Sequence, residues 1–475
     1  MFRNLFFAGV LLVVAALRLP AQQAWSLEQC VEYATRNNLT IKQAQNQIRG
    51  AELTYTQSKF SRFPSLNGTT SGGMQFGRTI DPTTNSFDNQ QIGFNSYGLN
   101  FGITVFAGSR INNAIRQGTL DLSASKLDAE QAVNDLGLSV ATAYLNILLA
   151  EEQLGLARQR LNQSRLQLEQ TEKLIDAGTR PVNERLNVLS QVAVDEQALI
   201  QAENAVSLNY LTLKQLLLLD PSQDLAIQKP EITIPVDINP DNFAPNELFV
   251  SSLSLQPNIK ASEKRMESAK IGVDLAKAAH YPTLTFFGGL STNYSSVSKQ
   301  VDGYITQNFK QTVLFNGQQV DFEVPQHIPL FSDNPYFNQL GENFGQNLGV
   351  SMSIPIYNNH RNKINVERAR LNLITQEVSI EQVRQNLKTN IDRAIADARA
   401  AKRSLDAAQR AVDASSAAFE NAQKRFDVGA LNSLEYQTAR NTMEQSKIDL
   451  VRARFQYFFN LKLVEFYQGK KITLN

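Results

Sequence analysis

The chain carries its own plan twice, and this repetition limits the folds open to it more than any other feature. Ile41-Lys42 recurs as Ile259-Lys260, Ala51 as Ala269, Lys59 as Lys277, and Phe63-Pro64-Ser65-Leu66 as Tyr281-Pro282-Thr283-Leu284, all 218 residues apart. Further along the spacing is 251: Ile103 pairs with Ile354, Arg110 with Arg361, Lys173 with Lys424, and Asp176-Ala177-Gly178 with Asp427-Val428-Gly429. The difference of 33 residues is an insertion between Leu284 and Ile354. A fixed internal period means that one supersecondary unit is used twice.

Within each half the hydrophobic period runs from 3.6 to 2 and back. Residues 27–62 and 247–280 read as helix, with Pro257 the one interior proline, near the start of the second. Strands follow. Tyr97, Leu99, Phe101, Ile103 and Val105 alternate with small or polar residues, as do Leu348, Val350, Met352, Ile354 and Ile356. Weaker partner strands precede them, over Leu66 to Arg78 and Thr283 to Leu290. The opposite face carries Gly, Ser, Thr and Asn, as the lumen side of a membrane barrel does; we therefore assign Tyr97, Leu99, Phe101, Ile103, Leu348, Val350, Met352 and Ile354 to lipid. Each half thus offers one hairpin, at 64–107 and 283–357, which makes four strands per chain. Four strands cannot close a barrel, which needs about eight. Open edges are not tolerated in lipid. Strands of this kind in a membrane must be pooled between chains.

The turn in the first hairpin, with Asp81-Pro82, Asn85 and Asp88-Asn89, reads as solvated rather than as a cation site. The second connection, 295–346, carries the insertion and reads as an aperiodic, aromatic, Gly- and Asn-rich surface loop.

No proline interrupts Arg110 to Ala177 or Arg361 to Val428, 68 residues each. As helix, each would extend about 100 Å. Val133, Val140, Ile147, Leu154, Leu161, Leu168 and Ile175 recur every seven residues, with smaller residues such as Ala143, Ala150 and Ala157 between them. Ile391, Ala398, Leu405, Val412, Phe419 and Phe426 repeat the seam in the second half. Helices of this length suit an extended hairpin or a tunnel wall better than a globular core. The turns between outgoing and returning helices, 176–181 and 427–432, centre on Gly178 and Gly429, as a left-handed helix cap requires.

Residues 1–21 have a basic start, an apolar run from Leu5 to Leu17 and a small residue, Ala21, before a polar segment: a secretory signal peptide. After it no window of about 18 apolar residues is apparent, so no spanning helix is expected. Cys30 is the single cysteine, which excludes an intrachain disulfide. Lys and Arg number 46 against 45 Asp and Glu, a balance that gives no reason to expect a nucleic-acid partner. His280, His327 and His360 lie in unrelated contexts, and no phosphate loop or dinucleotide fingerprint occurs. We expect no enzyme, no cofactor and no metal site.

The duplicated helix–hairpin–helix order, the segment Ser26-Leu27-Glu28-Gln29-Cys30-Val31-Glu32-Tyr33-Ala34, the Phe-Pro-Ser-Leu and Tyr-Pro-Thr-Leu steps from helix to strand, and the glycine-centred tips together resemble the TolC family of outer membrane efflux proteins. The resemblance covers essentially the whole chain after residue 21. It implies a mainly α fold with a small membrane β-part: a homotrimeric channel with four strands per chain in a shared 12-stranded β-barrel, continued across the periplasm by an α-barrel of long helices. The implied organisation is a first repeat at 22–220, a Pro-rich equatorial linker at 221–246, a second repeat at 247–465 and an equatorial C-terminal segment at 466–475. The implied partners are a periplasmic adaptor (membrane fusion protein), an inner-membrane transporter and outer membrane lipid.

The resemblance also places adaptor contacts at Ala177, Gly178, Thr179, Val428, Gly429 and Ala430. It places a periplasmic gate at Glu184 and Glu435, each six residues after a tip glycine, with Arg180 and Phe426 beside it. The chain departs from the family pattern here: the arginine expected in the second tip is Leu431, a tyrosine position is Phe426, and a second acid is Thr438. A rival reading, a periplasmic coiled-coil scaffold or adaptor, explains the helical hairpins and leaves the strands unexplained. Extraction separates the two, because a scaffold leaves the membrane in salt or buffer and a barrel requires detergent.

Overall fold

The computed structural model describes residues 24–80, 85–89, 91–230 and 239–470. The segment expected to be a signal peptide (1–21), Asp81-Pro82, part of the expected linker (231–238) and residues 471–475 lie outside them.

The elements repeat as the sequence does. α1 (Leu27–Asn37) and α2 (Leu39–Phe60) in the first half have counterparts of equal length in α5 (Pro245–Leu255) and α6 (Pro257–Ala278). Between them come β1 (Ser65–Gln75), the short β2 (Thr79–Ile80) and β3 (Phe87–Asp88), β4 (Ile92–Phe106), the long helix α3 (Arg110–Asp176) and its return α4 (Asn183–Leu217). The second half continues with β5 (Thr283–Ser295), β6 (Lys299–Phe315), β7 (Gln318–Asp333), α7 (Tyr336–Glu342), β8 (Gly345–Ser353), α8 (Arg361–Asp427) and α9 (Ser433–Tyr467). α3 and α8 are 67 residues each, and α4 and α9 are 35. The fold is mainly α, with one four-stranded antiparallel sheet of order β1-β4-β5-β8.

The chain divides into two compact units. One holds the described parts of 1–53, 119–268 and 372–475, and the other holds 54–118 and 269–371. In the helical unit there are two cores with equivalent positions at their centres, the first of them also receiving Phe458 from α9 of the second repeat. Ile41, Val140 and Leu213 sit in the first cluster, and Ile259, Ile391 and Val464, at the repeat spacings, sit in the second. Burying side chains of this size contributes roughly 1.5–3 kcal/mol each. α1 begins at a capping box: Ser26 Oγ accepts from Gln29 N (3.2 Å) and Gln29 Oε1 accepts from Ser26 N (2.9 Å).

Three expectations need correction. α3 does contain an 18-residue window with a mean hydropathy of 1.3, enough by composition to cross a membrane. Of that window 44% is buried within the chain, and α3 supplies Val140, Tyr144 and Ile147 to the first core, so tertiary packing accounts for part of its apolarity. The segment 295–346 is not aperiodic: it holds β6 and β7, paired antiparallel along their length, and the short helix α7. Finally, β8 ends at Ser353, so Ile354 lies one residue beyond the strand.

Candidate functional site

Both tips of the helical unit are closed by the same backbone device. Gly178 (φ +70°) follows α3; its N–H donates to Ile175 O (2.8 Å), while Thr179 N–H reaches back to Leu174 O (2.9 Å). Gly429 (φ +77°) follows α8 with the equivalent bonds to Phe426 O (3.0 Å) and from Ala430 N to Arg425 O (2.8 Å). This paired 6→1 and 5→2 pattern needs a left-handed residue, which glycine adopts without steric cost. Ala177, Gly178, Thr179, Val428, Gly429 and Ala430 are all exposed. They are therefore presented as two small, low-relief surfaces.

Just behind them the two tips are clasped together. The guanidinium of Arg180 lies 4.7 Å from the centroid of the Phe426 ring, its Nη2 donates to Phe426 O (3.4 Å), and its Nη1 pairs with Glu184 Oε1 (3.2 Å). Phe426 in turn stacks on Tyr436 (4.6 Å between centroids, 19° between planes), whose hydroxyl donates to Gln423 Oε1 (2.7 Å). Of the four gate residues expected from sequence, Arg180, Glu184 and Phe426 are thus brought together. Glu435 stays outside the cluster; it is exposed, and its backbone N–H is capped by Asn432 Oδ1 (2.8 Å). Arg180→Ala is expected to weaken the clasp by about 1 kcal/mol, since both charged partners are only partly buried. Limited proteolysis at the 177–182 and 428–432 turns should then accelerate while the helix content stays constant.

Further along the same unit lies a buried polar network that the sequence reading did not single out. Asp195 on α4 is fully buried, and Arg440 on α9 is 2% exposed. Arg440 Nη2 lies 3.5 Å from Asp195 Oδ2 and donates to Ser164 Oγ (2.6 Å) and Arg160 O (3.1 Å); its Nη1 reaches Gln167 Oε1 (3.0 Å). Arg160 Nε approaches Asp195 Oδ1 at 2.6 Å, an ion-pair contact without an aligned hydrogen bond, and Gln191 donates to the same oxygen (2.9 Å). Burial pulls the Arg440 guanidinium below its ordinary value, opposed by the charge of Asp195. The network ties α3 and α4 of the first repeat to α9 of the second. It has no counterpart at the repeat-related positions, where Leu189 stands for Arg440 and Ser446 for Asp195. A signal was available: Asp195 falls between Val192 and Leu199 on the heptad seam, where a charge is out of place.

In the strand unit, the register sorts the sheet into two unlike faces. Phe101 lies opposite Leu66 and Gly288, Ile103 opposite Phe286, and Phe286 opposite Val350, so these apolar residues share one face with Leu99, Leu290, Leu348 and Met352. The other face carries Asn67, Thr69, Asn100, Thr104, Thr285, Ser291, Asn347 and Ser351. One end of the apolar face is ringed by aromatics: Tyr97 Oη lies 2.8 Å from Tyr336 Oη, and Tyr294 packs on Tyr336 with ring centroids 4.6 Å apart. An apolar band bordered by aromatic residues is the arrangement of a strand sheet in a bilayer. Among the described residues, β1 and β8 each pair on one side only, so both edges of the sheet are open.

Comparison with known proteins agrees with this geometry. Residues 31–217 and 333–460 match the family model described as outer membrane efflux protein. The chain is 26% identical to the pyoverdine export outer membrane protein OpmQ of Pseudomonas aeruginosa, over 88% of this chain and 77% of that one. It is 24% identical to the outer membrane protein TolC of Escherichia coli, over 45% of this chain and 44% of that protein, less than half of each. Among solved structures, the outer membrane protein VceC of Vibrio cholerae superposes with a TM-score of 0.75 at 16% identity, covering 93% of this chain and 96% of that one, which establishes a shared fold.

Proposed function

Because this chain belongs to the outer membrane efflux protein family, an outer membrane channel fold, we propose that three copies form the exit duct of a tripartite export system. Each copy contributes four strands to one barrel and its long helices to a tunnel. The observation that carries this reading is the sheet with one apolar face and two unpaired edges, which only neighbouring copies can seal in lipid. Selective passage then rests on the tunnel and not on bond chemistry. The exposed residues Ala177, Gly178, Thr179, Val428, Gly429 and Ala430 meet the hairpin of a periplasmic adaptor, whose approach their small side chains leave unobstructed. An inner-membrane transporter supplies energy and cargo selection. The protein purified in detergent should contain three copies by native mass and form discrete conductance steps in a planar bilayer. A monomer soluble without detergent would remove the duct.

The gate is assigned to the clasp of Arg180, Glu184 and Phe426 together with Glu435, whose three exposed copies converge on a narrow axis at the closed end. A ring of like carboxylates repels itself and attracts divalent cations. Millimolar divalent cation added at the tip side should therefore reduce conductance several-fold, and Glu435→Gln should abolish that block. If the variant is blocked as strongly as the unmodified channel, the cation-binding ring lies elsewhere.

A further inference from the structure

The inserted segment is the largest feature that the duct reading leaves unused. β6 and β7 pair from Lys299↔Asp333 to Phe315↔Gln318, about 50 Å of two-stranded ribbon at roughly 3.4 Å per residue. Their turn is Asn316-Gly317, both residues with positive φ (+51° and +82°), as a tight two-residue hairpin requires. Cross-strand partners share a face. Phe309 lies opposite Val324, Val313 opposite Val320 and Ile305 opposite Ile328, and with Phe322 they form one mainly apolar face, interrupted by Gln311 and by the pair Gln307↔Gln326. The reverse face pairs Lys310 with Glu323, Thr312 with Asp321 and Thr306 with His327. The apolar side chains remain substantially exposed (Phe322 52%, Val313 47%, Phe309 43%), and among the described residues no helix or other strand packs along the ribbon. A two-stranded hairpin on its own is marginal in water. An ordered ribbon with one bare apolar face implies a cover.

The edge chemistry and the anchoring together identify that cover. Pro325 opposite Asn308 and Pro329 opposite Tyr304 have no N–H, so they occupy positions where β7 would present donors to its outer side. Strand addition at that edge is therefore disfavoured, and contact must come through the face. The root of the ribbon is fixed to the sheet: Ser296 N donates to Gly93 O and Gly93 N to Ser296 Oγ, both 2.8 Å. Lys299 and Asp333 close the stem as an ion pair. Every copy in a ring thus raises an identical apolar face at the same end of the barrel, at an effective concentration that no free partner reaches. We propose that the β6–β7 ribbons of neighbouring copies pack apolar face to apolar face on the common axis and roof the outer mouth of the pore. The proposal rests on the shared-barrel reading.

Single cysteines test it in the full-length protein in detergent. Cys30 supplies a silent background, because burial pushes its thiol up to about 12. With copper–phenanthroline as oxidant, Phe309→Cys should give covalent dimers at least tenfold more abundant than Thr312→Cys on the polar face. Native mass of the same samples separates the two readings. Three copies without preferential cross-linking at position 309 overturn the roof and leave the shared barrel standing; a single copy overturns both. As a check independent of the cysteines, replacing 301–331 by a short Gly-Ser turn should keep the trimer and raise its conductance several-fold. Unchanged conductance in that intact trimer would equally overturn the roof.

Discussion

Asp195→Ala is expected to destabilise the helical unit by about 3–5 kcal/mol, because it leaves the buried Arg440 guanidinium without its carboxylate. Ser164 and Gln167 would still accept hydrogen bonds from it, but neither carries the opposing charge. The loss should appear as a marked fall in the melting temperature of the detergent-solubilised protein. The same argument predicts the rescue. Replacing a buried ion pair by apolar side chains is often neutral or stabilising, because no charge is left without its partner. Asp195→Ala combined with Arg440→Leu removes both buried charges and should recover most of the lost stability, whereas either change alone should not. Arg160, which keeps some solvent contact, needs no compensation. Equal melting temperatures for the single and double variants would show that the charges do not depend on one another.

Val350→Arg and Ser351→Arg should behave as opposites although they are neighbours. Val350 shares the apolar face with Phe286 and Ile103, and Ser351 lies on the face of Thr285 and Thr104. An arginine directed at lipid costs about 2–4 kcal/mol near the middle of the bilayer, and the proposed trimer would carry it three times. Val350→Arg should therefore deplete the protein from the outer membrane fraction, while Ser351→Arg, directed into the lumen, should insert normally and alter conductance. Insertion of both to the same extent would mean that the two faces are not lipid and lumen.

The fold class was legible because two strong signals agreed: the duplication, and a period that switches between 3.6 and 2 at the same places in each half. The β6–β7 ribbon was obscured by local features. The register shift between Val301 and Gly303 breaks the alternation at its start, and Pro325 and Pro329 argue against a strand to any reading that assumes a central position. Asn316-Gly317 between alternating residues was the signal that could have revealed it. The tip glycines could be placed from sequence because a left-handed cap has few alternatives. The Arg180–Phe426 contact could not, because it joins residues 246 positions apart in different repeats. Asp195 could have been flagged as a charge on the heptad seam, but its partner could not, because Arg440 looks like surface charge until Asp195, 245 positions away, packs against it.

The two unpaired sheet edges also dictate an order of events. A lone chain that entered the bilayer would carry unsatisfied N–H and C=O groups along β1 and β8 into hydrocarbon, at several kcal/mol for each group. Newly exported copies must consequently find one another before or during entry into the lipid. In the proposed trimer, the appearance of finished pores should therefore depend steeply on the supply of chains.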